Sequence, residues 1–285
     1  MVGKDLIMAT LFGGGSSSSG SGGGGAGGGW PEVPEDGATY LYITLGEGRA
    51  SPMIGLCFKG TATVDWGDGT APDELTSTNI NSTTWTSPHS YAAPGDYVVR
   101  IAVNGLWKFT GSSTSRQYAC ILRHANQTDG RNQAYQNSIK RAVIGNGSDS
   151  IGGYAFHYCQ SLSSIVLPSD VRSIPLRAFA NCVSLSSVVI PSSVKSISAW
   201  AFDYCTALTS VVVQSELTSI GVSAFGNCNG AAFYDFTACT AVPVMEGDAF
   251  SAIPSDCEIR VPAALYDEWI AATNWATYAD NIKAY

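Results

Sequence analysis

Eight cysteines, three histidines and a knot of acidic residues are the side chains that could carry chemistry, and their spacing decides what they can do. Cys159, Cys182, Cys205 and Cys228 recur every 23 residues, whereas Cys57, Cys120, Cys239 and Cys257 follow no framework. Metal ligation normally needs close thiol pairs such as C-x2-C or nearby histidines, and no C-x2-C pair exists. The four periodic thiols are therefore expected to form one interior column of small, buried side chains. His89, His124 and His157 belong to no H-E-x-x-H, no G-x-S-x-G neighbourhood and no Cys-His arrangement with a plausible orienting partner. His89 is expected to be a hydrogen-bonding structural group and His157 to be exposed. Asp65, Asp68, Asp73 and Glu74 invite a Ca²⁺ reading, but they lack EF-type spacing, and Asp in such turns commonly bonds its own backbone. These residues point to no catalytic group, no metal and no cofactor.

The elements that would position them are legible from residue 142 onward, where the chain repeats itself. Ile151, Ile174, Ile197 and Ile220 set a 23-residue period. Ala155-Phe156, Ala178-Phe179, Ala201-Phe202 and Ala224-Phe225 follow at a fixed offset, then the cysteines, then Leu162, Leu185 and Leu208, then strand cores such as Val188-x-Ile190. A fifth, degenerate unit holds Ala249-Phe250 and Ile259-x-Val261, and Ile139 with Ala142-Val143-Ile144 looks like the strand of a partial opening unit. This pattern resembles the BspA-like class of bacterial leucine-rich repeats. The resemblance implies a solenoid with a parallel sheet over residues 142–262. Pro262 and the aromatics Tyr266, Trp269, Trp275 and Tyr278 predict a helical cap over 263–285.

Between Trp30 and about Thr110, alternating apolar runs such as Tyr40-Leu41-Tyr42-Ile43 and Tyr97-Val98-Val99-Arg100-Ile101 read as strands bounded by Gly, Pro and Asp. Trp66-Gly67-Asp68-Gly69, His89-Ser90-Tyr91 and Gly95-Asp96-Tyr97 resemble the PKD family of immunoglobulin-like domains. That resemblance implies a β-sandwich over 30–110, followed by a connector and opening cap over 111–141. The fold class expected is thus mainly β: an Ig-like (PKD-type) β-sandwich followed by a leucine-rich-repeat solenoid.

Residues 13–29 hold eleven Gly, five Ser and one Ala. Such a segment cannot form a core of its own, and ordering it is entropically costly. It reads as a flexible tether, or as an assembly anchor if neighbouring chains pack on residues 1–29; Leu6, Ile7, Leu11 and Phe12 are then the anchoring side chains. No strand precedes this run and no Lys-Ser/Thr follows it, so it is not a phosphate loop. The apolar segment before it is short for a secretory signal, and no run is long enough to span a membrane. The net charge is −8 with scattered basic residues, which argues against nucleic acid as a partner.

What remains is surface. Ser164, Ser187, Ser210, Phe233 and Glu258 form one expected solvent-facing column, and Val166, Val189, Val212, Asp235 and Arg260 another. On the loop side Tyr154, Tyr158, Trp200 and Tyr204 occupy non-core offsets, with Arg177 and Asn181 at the same offsets of the rung between. They are either packing for neighbouring loops or a ligand-binding patch, since rings offer large contact area at low entropy cost. The function expected is a non-enzymatic, virion-associated adhesion protein of the phage tail-fibre or receptor-binding type. Its partners would be a host-cell surface glycan or protein, other virion proteins through the N-terminus, and copies of itself. The alternative is a bacterial cell-surface leucine-rich-repeat adhesin.

Overall fold

The computed structural model describes residues 30–46, 51–109, 122–124, 135, 137–146 and 151–285. Leu6, Ile7, Leu11, Phe12, the glycine-rich stretch, Cys120 and most of the expected connector lie outside the described residues, as does the side chain of His124. Val33–Tyr285 form one compact unit. Its architecture is mainly β, a parallel-strand solenoid of about six turns preceded by an antiparallel module and ending in a short helix.

The antiparallel module contains β1 (Thr39–Leu45), β2 (Pro52–Asp65), β3 (Asp73–Ser77), β4 (Thr83–Trp85), β5 (Gly95–Phe109) and β6 (Leu122–His124). It is followed by β7 (Ile139–Val143) and β8 (Ser164–Val166). Their hydrogen bonding does not by itself mark out the two facing sheets of the expected sandwich. The strands lie in one sheet, ordered β3-β2-β5-β1-β7-β8, with β4 and β6 also pairing β2. The backbone edge of β1 carries this ladder onward. It bonds antiparallel to β7, and β7 bonds parallel to β8, so the module runs on into the solenoid ladder and leaves the first rung no bare edge. The long β2–β5 ribbon has Gly60 opposite Gly105, at φ of 129° and 128°. A Cβ on either would collide with a backbone carbonyl of the opposite strand, so only glycine fits there.

The solenoid adds β9 (Ser173–Ile174), β10 (Ser187–Ile190), β11 (Ser196–Ile197), β12 (Ser210–Val213), β13 (Ser219–Ile220), β14 (Phe233–Asp235), β15 (Val244–Met245) and β16 (Glu258–Val261). Even-numbered strands from β10 to β16 make one parallel ladder, and β9, β11, β13 and β15 a second. Register follows the repeat, with Val188 opposite Val211, Val211 opposite Tyr234 and Tyr234 opposite Ile259. Phe156, Phe179, Phe202, Phe225 and Phe250 stack through the core with ring centroids 5.2–5.4 Å apart. Hydroxyls recur too: Ser163, Ser186 and Thr209 each donate to a carbonyl of the preceding rung, Lys140, Ser163 and Ser186 in turn. One hydrophobic core runs from Leu41 to Ile282, so the expected boundary near residue 110 has the same core on both sides. Phe109 meets the Phe156 ring at 5.7 Å across it.

The predicted cap forms, with an addition. A 3-10 turn at Ala263–Leu265 leads into α1 (Tyr266–Ala271), and a second follows at Trp275–Tyr278. Trp269 and Trp275 are fully buried beside Phe236, Phe250 or both. The Trp275 indole donates to the Pro243 carbonyl at 2.8 Å, and the Asn274 amide to that of Met245 at 2.7 Å. Cap side chains thus supply donors to carbonyls beside and within β15. The chain then returns as β17 (Ile282–Ala284), parallel to β16.

Candidate functional site

All six residues singled out as a binding patch share one backbone property. Tyr154, Tyr158, Arg177, Asn181, Trp200 and Tyr204 have φ between 52° and 63°, and Ser223 and Asn227 continue the series at 49° and 57°. Each turn therefore carries two left-handed residues four apart, bracketing the Ala-Phe pair. The reason is hydrogen bonding between rungs. Amides of Tyr154, Phe156 and Tyr158 all donate forward, to the carbonyls of Leu176, Ala178 and Ala180. Between them Ala155, His157 and Cys159 donate back three residues within their own turn. Left-handed residues let the chain alternate between these two directions. For a residue other than Gly or Asn that conformation costs about 1–2 kcal/mol.

Along the solenoid the eight side chains make two columns. In the first, Tyr154 is only 9% exposed, which fits the packing alternative for this residue, and its ring is edge-on to His157 at 5.3 Å. Next along, the Arg177 guanidinium lies 4.7 Å over the Trp200 ring, and the Ser223 hydroxyl donates to Asp248 at 3.3 Å. The second column is open. Tyr158 and Tyr204 are 36% and 48% exposed, with half-buried Asn181 between them and Asn227 beyond. His157, expected to be exposed, is half-buried and meets Tyr158 edge-on at 4.4 Å.

Sequence reading missed Asp203, which sits between the two left-handed positions of its turn and is buried. Burial pushes its carboxyl up from the ordinary range, while the Asn227 amide at 3.0 Å and the nearby Arg177 charge pull it back. Its signal was an acid at an offset where other rungs carry His157, Ala180 and Gly226.

The remaining chemical candidates serve the fold. Cys159, Cys182, Cys205 and Cys228 are fully buried, and the last three donate their thiols to the carbonyls of Phe156, Phe179 and Phe202 at 3.2–3.3 Å. Burial pushes the Cys228 thiol up to about 12, so at neutral pH it is no thiolate for a metal or an electrophile. In the antiparallel module Asp68 binds His89 at 2.8 Å, His89 stacks on Trp66 at 4.7 Å, and Tyr91 donates to the Trp66 carbonyl at 2.9 Å. Asp65 and Asp68 also accept the backbone amides of Gly67 and Thr70, and Asp73 accepts the Trp66 indole. The acidic knot is thereby engaged in turns, and among the described residues no cluster of three His, Cys, Asp or Glu could hold a metal.

The long-sheet columns align as expected, but Ser210 is buried and the others are half-buried rather than open. At their far end Arg260 lies 3.9 Å over the Phe233 ring and pairs with Glu258 at 2.8 Å, a self-contained cluster that the sequence did not reveal.

Residues 130–255 match the family described as the BspA type leucine rich repeat region, in six copies. This region is similar to the BspA-type leucine-rich repeats. The match stops short of β16 and β17, and the two-residue insertion before Ala249 lies within it. Similar solved structures include a leucine-rich-repeat protein of T. pallidum, TpLRR, at 23% identity and TM-score 0.38, covering 44% of this chain and 60% of that one. The pneumococcal vaccine antigen PcpA is similar at 16% identity and TM-score 0.37, covering 64% and 45%. A leucine-rich-repeat protein from Bacteroides ovatus is similar at 18% identity and TM-score 0.30, covering 45% and 47%. The chain thus spans 45–60% of the length of these structures. No curated protein matches it.

Proposed function

We propose that this is a non-catalytic adhesion protein whose left-handed solenoid edge binds a glycan or protein on a cell surface. One observation carries the reading. Tyr158, Tyr204, Trp200 and Arg177 occupy backbone positions that disfavour them, whereas Asn181 and Asn227 fill equivalent positions at lower cost. Packing covers only part of each ring: Tyr158 meets His157 edge-on yet is 36% exposed, and Tyr204 is 48% exposed. Large rings kept at a conformational cost and turned to solvent are what a contact surface requires. The repeated edge suits a ligand extended along the axis, as solenoid surfaces commonly do.

The finer reading is a phage tail-fibre type of protein. The glycine-rich segment is its stalk, Leu6, Ile7, Leu11 and Phe12 are its anchor in a larger assembly, and the antiparallel module, which carries the PKD-like motifs, is a rigid spacer. Replacing Trp200 and Tyr204 by Ala weakens attachment of the labelled chain to cells while the protein stays folded; unchanged attachment overturns the site. Co-sedimentation of the chain with purified virions, lost on deletion of residues 1–29, tests the finer reading. Recovery with the bacterial envelope instead makes the protein a cell-surface adhesin.

A further inference from the structure

The open column of the edge alternates ring, amide, ring, amide: Tyr158, Asn181, Tyr204, Asn227. Equivalent backbone bonds hold all four, from their amides to the carbonyls of Ala180, Asp203, Gly226 and Ser251 at 2.7–2.9 Å. The side chains therefore leave the solenoid in register. Neighbouring strands of a ladder are ~4.8 Å apart, so rings two rungs apart are ~10 Å apart. That spacing equals the repeat of a disaccharide in an extended β-1,4-linked polysaccharide, in which a two-fold screw presents the same sugar face at every second residue.

Resting on the binding role proposed for this edge, we propose that its ligand is an extended β-1,4-linked polysaccharide lying along the solenoid axis. Alternate sugars stack their apolar faces on Tyr158 and Tyr204, and the sugar between them meets Asn181. Two further observations fit. Among the described residues nothing bonds the Asn181 side-chain amide or pairs with the Arg177 guanidinium on the same rung through a salt bridge, so both retain donors for sugar hydroxyls. A folded protein partner would instead favour a compact central cluster of rings over a linear alternation.

The test is calorimetric titration of the full chain with chitohexaose, cellohexaose and maltohexaose. The β-1,4-linked hexamers are expected to bind, with affinity rising steeply between dimer and tetramer as the second ring is reached. Maltohexaose, whose α-1,4 linkage curls the chain, is expected not to bind. Tyr204→Asn, which suits the backbone, is expected to weaken binding at least about tenfold without lowering the melting temperature. Failure of both β-1,4 hexamers to bind a chain whose cell attachment still depends on Tyr158 and Tyr204 overturns the polysaccharide and leaves the adhesive edge standing, with a different glycan or a protein as its partner. Hexamer binding that Tyr158→Asn and Tyr204→Asn leave intact overturns the location. Cell attachment that ignores both tyrosines removes the adhesive edge itself.

Discussion

Asn181 and Asn227 hold the same left-handed position as Tyr158 and Tyr204 one rung away, so the protein contains its own control for what the fold needs there. Tyr204→Asn is expected to leave stability unchanged or raise it by up to about 1 kcal/mol, measured by chemical denaturation. A loss beyond that would mean the ring packs more than it contacts. The sequence showed these residues as aromatics at non-core offsets, but φ is not written in residue type when Tyr, Trp and Arg fill a position natural to Asn. The cysteines were more legible, because a strict period makes burial predictable. Their thiol bonds to phenylalanine carbonyls depend on the stagger between rungs, which a period does not encode. Cys228 also sets a pH dependence. Its thiol ionises near 9.0 when unfolded and is pushed up to about 12 by burial, so the unfolded chain loses that proton first. Its contribution to stability is present in full below about pH 9 and is lost as pH rises toward 12. Denaturant midpoints at pH 8 and pH 10.5 should differ more in the native protein than in Cys228→Ala.

At the scale of elements, the phenylalanine stack is the spine of the solenoid. Phe202 is fully buried between Phe179 and Phe225, and Phe202→Ala is expected to cost about 3–5 kcal/mol, read from urea denaturation. In the antiparallel module, Gly60→Ala is expected to be strongly destabilising, because the added methyl meets backbone that cannot swing aside. Strand existence was readable from period-2 alternation around Tyr40–Leu45 and Tyr97–Val103. Which edge each strand would bond was not, since alternation fixes the buried face but says nothing of partners. That gap is why the pairing of β1 with β7, which carries the sheet on into the solenoid, was not legible. The cap divides likewise: its tryptophans announced burial, while Ile282–Ala284 was too short to read as a strand.

For the whole molecule, a core that runs from Leu41 to Ile282 and a sheet that carries β1 on into β7 and β8 mean that module and solenoid support each other. Calorimetry of the full chain should show one cooperative transition for Val33–Tyr285; two well-separated transitions would show that the strands from β7 onward fold without β1. The most direct test of the account is a paired measurement on the Tyr158→Asn/Tyr204→Asn double variant, comparing cell attachment with melting temperature. A fold-compatible edge built for contact predicts lost attachment with an unchanged or higher melting temperature. Retained attachment, or a clear drop in melting temperature, would contradict it.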